Sequence, residues 1–333
     1  MTTATMTAVG AFAADSIEES LRDITVDIPE LRPRDVLVRV LAVSVNPADW
    51  KVQAGIEPGS DPVILGYDAA GVVEAVGPEV GTLEVGDEVW YAGAMNRPGS
   101  YAEFQAVDER IVSRKPSSLS FAEAAALPLT TITAWESLFD RFGLTRESTG
   151  DLLVLGAAGG VGSIMIQLAK KLTGVRVIGT ASRDESRAWA HQMGADAVVD
   201  HRHLREETLR VAPDGVDFLF SPHSAGNIDD FAAIVKPFGH ITAIDEPEGL
   251  DLVGLKAKSI AWHWELMFTR PVFETPDMIE QQRLLAATAG LVDDGTLRTT
   301  VTKTIEDFSA AGLREANRDV KAGRMTGKVV VTR

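Results

Sequence analysis

Cysteine is absent from the 333 residues. That excludes disulfides, thiolate nucleophiles and Cys-ligated zinc. Basic residues are in short supply, 32 Lys and Arg against 48 Asp and Glu, for a formal charge of −16. Such a balance argues against a nucleic-acid or anionic-membrane partner. No apolar run approaches the length of a membrane span. The N-terminus MTTATMTAVG has neither a basic n-region nor a following apolar core, so no signal peptide is expected and a cytoplasmic location is. Of the six histidines only His201 and His203 are closely spaced, and they lie outside any barrel motif, so no metal is expected there. What is present fits a folded chain rich in turns and long enough for two domains: 45% apolar residues, 29 glycines and 15 prolines.

The most informative stretch is Asp151 to Asp184. Leu152 to Leu155 is a short apolar run of the kind that forms a strand buried on both faces. A turn with Gly156, Gly159, Gly160 and Gly162 follows and opens a helix in which Val161, Ile164, Met165, Leu168 and Leu172 recur at helical spacing. Gly174 stops that helix ahead of a second strand, Val175 to Gly179. The pattern is the dinucleotide fingerprint in its confirming context, with Ala157 where G-x-G-x-x-G has its first glycine. Phosphates must approach the backbone, so side chains are missing at Gly159 and Gly160. The helix N-terminus supplies N–H donors, and Gly162 lets helix and strand pack closely.

NAD-specific sites place an acid about twenty residues past the glycines, on the ribose 2′-hydroxyl. Here the strand runs into Gly179-Thr180-Ala181-Ser182-Arg183, with no acid. Ser182 can donate to a 2′-phosphate and Arg183 can pair with it, which points to NADPH. Arg187 is expected on the same side as Arg183. Asp184 and Glu185 stand against this choice.

The first 115 or so residues read as short strands in a small, partly closed barrel: around Val36 to Val45, Val63 to Val76, Tyr101 to Val107 and Ile111 to Val112. Ser120 and Glu123 form a capping box ahead of a helical pair broken at Pro128. Further strands are expected around Ala197 to Val199, at Val216 to Phe220, and at Ile241 to Ile244 after the turn Pro237-Phe238-Gly239. Helices over Pro276 to Val292 and Phe308 to Lys321 and a strand at Lys328 to Val331 close the chain.

The motifs SVNPADWKVQAG, LGYDAAGVVEAVG, VGDEVW, ALPLTTITAW and GAAGGVG together resemble the medium-chain dehydrogenase/reductases, in their zinc-free, quinone-oxidoreductase-like branch. SIAWHWELMFTR (Ser259 to Arg270) resembles a subgroup labelled zinc-type alcohol dehydrogenase-like. The resemblance implies an α/β fold: a doubly wound Rossmann sheet over residues 126–270, a GroES-like, mostly β barrel domain over 1–125, and a segment 271–333 returning to it. It implies a homodimer built on the open sheet edge around Ile260 to Phe268. Zinc-dependent relatives bind metal through a Cys and a Gly-His-Glu motif. Here those positions are Asn46 and Gly66-Tyr67-Asp68, so the label is not supported.

Asn46, Asp49 and Tyr67 are therefore the candidate catalytic residues, Asn46 through side-chain N–H groups aimed at a substrate oxygen. Asn46 reads equally well as a turn residue before Pro47, and Tyr67 as barrel packing. By resemblance Lys51, Thr130, Phe268 and Arg324 approach the cofactor. His201, Ser221 and Ile244 join the glycine turn, including Val161, among the cofactor-binding residues. The expected activity is metal-free hydride transfer from NADPH to a quinone or other conjugated carbonyl. An enoyl or 2-alkenal reductase and a non-catalytic NADPH-binding redox sensor are the alternatives.

Overall fold

The structure is a computed structural model describing residues 4–333, so the opening of the N-terminal segment read for a leader lies outside the described residues. It divides into two compact units, one formed by the chain to Ile132 with Phe268–Arg333, the other by Thr133–Met267.

The unit Thr133–Met267 is built on a parallel sheet. Among the described residues its six strands run in the spatial order Ala197–Val199, Arg176–Thr180, Asp151–Val154, Val216–Ser221, Val235–Ala243, Ala261–Trp264. Numbered along the chain, that order is 3-2-1-4-5-6, the doubly wound dinucleotide-binding topology. Leu152, Leu153 and Val154 are buried on both faces, as their unbroken apolar run requires. Leu153, Ile178, Leu219 and Ile241 form one core with Phe231 from the helix Ile228–Ile234. Each such side chain contributes about 1.5–3 kcal/mol by leaving water. The helix Gly160–Leu172 ends at Thr173, just ahead of Gly174.

The fifth strand departs from expectation. It begins at Val235, and Pro237-Phe238-Gly239 lies within it rather than before it. Phe238 takes φ +64°, and the register with Val216–Ser221 slips between Val216 and Phe218. Proline cannot donate to the ladder, so the strand carries an irregularity there instead of starting afresh.

The other unit holds a mixed sheet ordered Val301–Ile305, Lys328–Thr332, Asp35–Ser44, Asp68–Val76, Glu88–Ala92, Val112–Arg114, with Phe104–Asp108 also pairing Asp35–Ser44. Val36, Val38, Val40 and Val43 of the central strand are fully buried against Tyr91, Val329 and Val331. The apolar run from Val63 is two strands, Val63–Ile64 and Asp68–Val76. Between them Gly66 has φ +95°, and a Cβ there would stand 2.3 Å from the Tyr101 ring. The chain can turn only because that position lacks a side chain. A hairpin of Thr5–Ala11 and Leu21–Asp27 and the strand Val301–Ile305 are additions to the sequence reading. The capping box at Ser120 and Glu123 opens the helix Phe121–Ala125, and Pro128 starts the helix Pro128–Trp135.

Candidate active site

Each unit carries its own set of candidate residues. In the parallel-sheet unit they gather at the carboxyl ends of the strands. After Asp151–Val154 the chain turns at Gly156, φ +66°, whose N–H donates to the Thr180 hydroxyl at 3.0 Å. Gly159 caps the helix Gly160–Leu172. A Cβ on Gly162 would lie 2.5 Å from the Gly156 carbonyl oxygen, so helix and turn are closer than any side chain allows. Gly160, Val161 and Gly162 form the first turn of the helix, whose N–H groups have no acceptor within it. Ala157 is buried under the turn.

Ser182 and Arg183 follow the strand Arg176–Thr180, with Arg183 exposed at the cap of the helix Asp184–Met193. His201 stands two residues past Ala197–Val199, Ser221 ends Val216–Ser221, and the Ile244 N–H, just past Val235–Ala243, donates to the Ser221 carbonyl at 3.0 Å. A cradle that side chains would fill, a helix N-terminus and a strand end without an acid fit a nicotinamide dinucleotide.

Arg187 requires a correction. Its guanidinium donates to the Ala181 carbonyl at 3.1 Å and the Val198 carbonyl at 2.8 Å. It ties the ends of two neighbouring strands together, a role that helical spacing did not predict.

In the mixed-sheet unit, Asn46 caps the helix Pro47–Gln53 from the end of the strand Asp35–Ser44, with Pro47 at the first helical position. The Asp49 carboxylate accepts the N–H of Asn46 at 2.7 Å and that of Gly66 at 3.0 Å. Asp68, paired with Ser44 in the ladder, accepts the Leu129 N–H at 2.7 Å on one carboxylate oxygen. On the other it accepts Asn46 Nδ2 at 2.8 Å and Lys328 Nζ at 3.3 Å. Lys328 Nζ also donates to Asn46 Oδ1 at 2.5 Å and to the Val45 carbonyl at 3.0 Å. Asn46, Asp49, Asp68 and Lys328 are all buried.

Burial dominates the electrostatics. It raises Asp49 from 3.8 to about 7 against its two backbone donors and Lys328, and raises Asp68 despite Lys328 and Asn46. Burial also lowers Lys328 against the pull of Asp68. The Tyr67 hydroxyl is pushed up by burial and then by the Asp49 charge. Its ring meets Phe268 edge to face, centroids 4.8 Å apart.

The structure thus brings Asn46, Asp49, Tyr67 and Phe268 into one buried region, but it changes Asn46's part. Both amide hydrogens are used within the protein, one on Asp68 and one on the Ser44 carbonyl at 3.2 Å. None is left to aim at a substrate oxygen. Thr130 is buried, its hydroxyl donating to the Leu127 carbonyl at 3.0 Å. Lys51 and Arg324 are exposed, on the last turn of Pro47–Gln53 and just past the helix Ala310–Lys321. Asp68 and Lys328 are the members of this cluster that the candidate list passed over. The one local signal for Lys328 is a lysine heading the apolar strand KVVVT.

The fit to zinc fails on the chemistry of the donor set. At the two family positions that could offer a ligand, Asn46 Oδ1 and one Asp68 oxygen already face the Lys328 ammonium, the other Asp68 oxygen takes the Leu129 N–H, and Tyr67 replaces the histidine. Among the described residues no group of three or more His, Cys, Asp or Glu could hold a metal ion.

Comparison with known proteins agrees with the architecture. Residues 32–117 match the alcohol dehydrogenase GroES-like domain model and residues 193–331 the zinc-binding dehydrogenase model. A zinc-type alcohol dehydrogenase-like protein of Staphylococcus aureus is 41% identical over 89% of this chain and 90% of its own length. A 2-methylene-furan-3-one reductase of Solanum lycopersicum is 37% identical over 69% of this chain and 59% of its own. For a chloroplastic NADPH-dependent alkenal/one oxidoreductase of Arabidopsis thaliana the values are 37%, 65% and 56%. Among solved structures, a candidate zinc-dependent alcohol dehydrogenase of Rhizobium etli CFN 42 superposes with TM-score 0.93 at 45% identity, covering 100% of this chain and 99% of that one. A quinone oxidoreductase of Coxiella burnetii gives 0.83 at 25% identity, covering 99% and 100%. The chain belongs to the medium-chain dehydrogenase/reductase superfamily, a family of NAD(P)-dependent oxidoreductases. Among the described residues no helix is long and apolar enough to cross a membrane.

Proposed function

We propose that the protein is an NADPH-dependent reductase of quinones or other conjugated carbonyls, acting without a metal. The observation that carries this reading is the closed polar cluster of Asn46, Asp68 and Lys328, whose donors and acceptors satisfy one another. A site of this kind offers no strong electrophile to an isolated carbonyl, so the substrate must bring its own activation through conjugation. The glycine turn Gly156 to Gly162 would hold the pyrophosphate, and Ser182 and Arg183 the 2′-phosphate. NADPH, when bound, supplies a hydride. Reducing a conjugated carbonyl also takes a proton. Burial favours the protonated forms of Tyr67 and Asp49, which makes these two the proposed proton donors.

A closely related reading is reduction of alkenals and enones. It is favoured by the names of the tomato and Arabidopsis relatives and uses the same residues with a different pocket. The test is oxidation of NADPH against a panel of quinones, enones, alkenals and simple saturated aldehydes. Turnover confined to conjugated members supports the proposal, and the preferred member separates its two forms. Turnover of saturated aldehydes, or zinc-dependent turnover, overturns it. Tight NADPH binding with no turnover would leave a redox sensor instead.

A further inference from the structure

We propose that Lys328 is the fixed cation of this site, holding Asn46 and Asp68 in place where zinc-dependent relatives use a metal. It is a positioning residue, and the assignment rests on the reading above that this region serves a metal-free reduction.

The geometry begins with the backbone. Lys328 heads the strand Lys328–Thr332, which pairs antiparallel with Asp35–Ser44 through Val330 opposite Ser44 and Val331 opposite Val43. Its own N–H is fixed on the Thr300 carbonyl at 2.9 Å. The Cα is thus anchored in the sheet, and the long side chain reaches the start of the Asn46 helix. An ammonium has three hydrogens to donate. Here it has three acceptors, the Val45 carbonyl, Asn46 Oδ1 and Asp68 Oδ2, at 3.0, 2.5 and 3.3 Å. They lie on two separate pieces of chain that the ammonium joins.

Three features separate this from an ordinary buried ion pair. The first is that Asn46 is polarised in one sense, its oxygen toward Lys328 and its amide nitrogen toward Asp68, so one cation orients both side chains. The second is that both partners occupy family metal-motif positions, the Cys position and the acid of Gly-His-Glu. The third is that Asp68 passes the constraint onward by accepting the Leu129 N–H at the start of the helix Pro128–Trp135. A metal entering between Asn46 and Asp68 would have to displace the ammonium, and a buried lysine left unpaired beside a dication is strongly unfavourable. The lysine thus keeps Asn46 and Asp68 ordered without a metal.

The test uses the full chain. Lys328→Met should lower kcat for a conjugated carbonyl by about tenfold or more, the usual effect of removing a group that orients others. KM and the NADPH dissociation constant should stay within about twofold. Because Lys328→Met strands a buried carboxylate, the double variant Asp68→Asn/Lys328→Met is made beside it. Its melting temperature should return toward that of wild type while kcat stays low, a split that a purely structural role would not produce. Wild-type protein incubated with zinc and dialysed should retain no stoichiometric metal. Wild-type kcat in either variant overturns the assignment, as does stoichiometric zinc whose chelation abolishes turnover. If wild type reduces no conjugated carbonyl, the functional reading fails by itself. Zinc retention and the recovery of melting temperature in the double variant then still decide the role of Lys328.

Discussion

The Asp49 carboxylate accepts the backbone N–H of Asn46 at 2.7 Å, closing the first turn of the helix on which both sit. The same group accepts the Gly66 N–H at 3.0 Å and so joins that helix to the loop before Asp68–Val76. Its position is secured at the expense of its charge, because burial raises it from 3.8 to about 7. Between those values the unfolded chain is ionised while the folded chain holds the proton. The contribution to stability is therefore complete below the lower value and lost as pH rises through about 7. Asp49→Asn should reduce the pH dependence over that window by the share of one group. It should also lower stability overall, since one amide oxygen cannot replace two carboxylate oxygens. Denaturant midpoints measured across the window check both effects, and an unchanged slope would sink the assignment.

Glu265 gives a second contribution of the same sign. It is buried, its carboxylate accepts Arg141 Nε at 2.8 Å, and burial followed by the neighbouring Glu136 raises it from 4.5 to about 9. The sign is the same: stability falls as pH rises from the lower value through the upper one. Its window overlaps that of Asp49 and extends beyond it. Glu265→Gln should reduce the slope both below about pH 7, where the Asp49 share persists, and above it. The same denaturation series decides it; persistence of the alkaline slope in the variant would assign it elsewhere.

The strand Ala261–Trp264 forms one edge of the parallel sheet, hydrogen-bonded on one side to Val235–Ala243. Trp264 and Leu266 are 51% and 55% exposed, and Trp262 meets Trp264 edge to face at 5.4 Å. An open apolar edge is a template for pairing. The expected state is a homodimer in which two such edges meet about a two-fold axis, hiding the tryptophans. Trp264→Lys should yield a folded monomer by placing a charge on that edge. Sedimentation of wild type as a monomer at micromolar concentration would refute the idea.

Much of this was readable in the chain because the signals are local. The run Leu152 to Leu155, the glycines and the amphipathic helix after them lie within about twenty residues, and together they predict a βαβ unit. The hairpin Thr5–Ala11 and Leu21–Asp27 went unread although Thr5-Met6-Thr7-Ala8 alternates exposed and buried residues, because the alternation is short and its apolar members include only a Met and an Ala. Lys328 was hidden for another reason. It is 260 residues from Asp68 in sequence, and nothing in KVVVT says what its ammonium meets. Asn46 was found by its motif position, but which way its amide faces depends on that distant lysine. Arg187 shows the limit of periodicity, which assigns a helix face without saying which acceptors a long side chain finds.

Cofactor choice turns on the end of the strand Arg176–Thr180. A carboxylate there would hold a ribose 2′-hydroxyl and repel a 2′-phosphate, and none is present before the helix Asp184–Met193 begins. Ser182 is half-buried and Arg183 exposed at that junction, where a hydroxyl and a guanidinium can meet a phosphate. Asp184 and Glu185 occupy the first turn of the following helix, where its dipole favours acids, which gives them a role apart from the ribose. NADPH should therefore bind more tightly than NADH by about one to two decades, the equivalent of one charge-assisted phosphate contact. Arg183→Ala should erase most of that difference while leaving NADH affinity unchanged. Arg187→Ala should do the reverse. Its guanidinium is anchored on the Ala181 and Val198 carbonyls, so its loss should lower the melting temperature and leave the preference between cofactors intact. Fluorescence titration of both nucleotides against wild type and the two variants distinguishes the arginines. Equal wild-type affinities would show that the absent acid does not govern the choice, and a preference abolished by Arg187→Ala alone would return the phosphate contact to that residue.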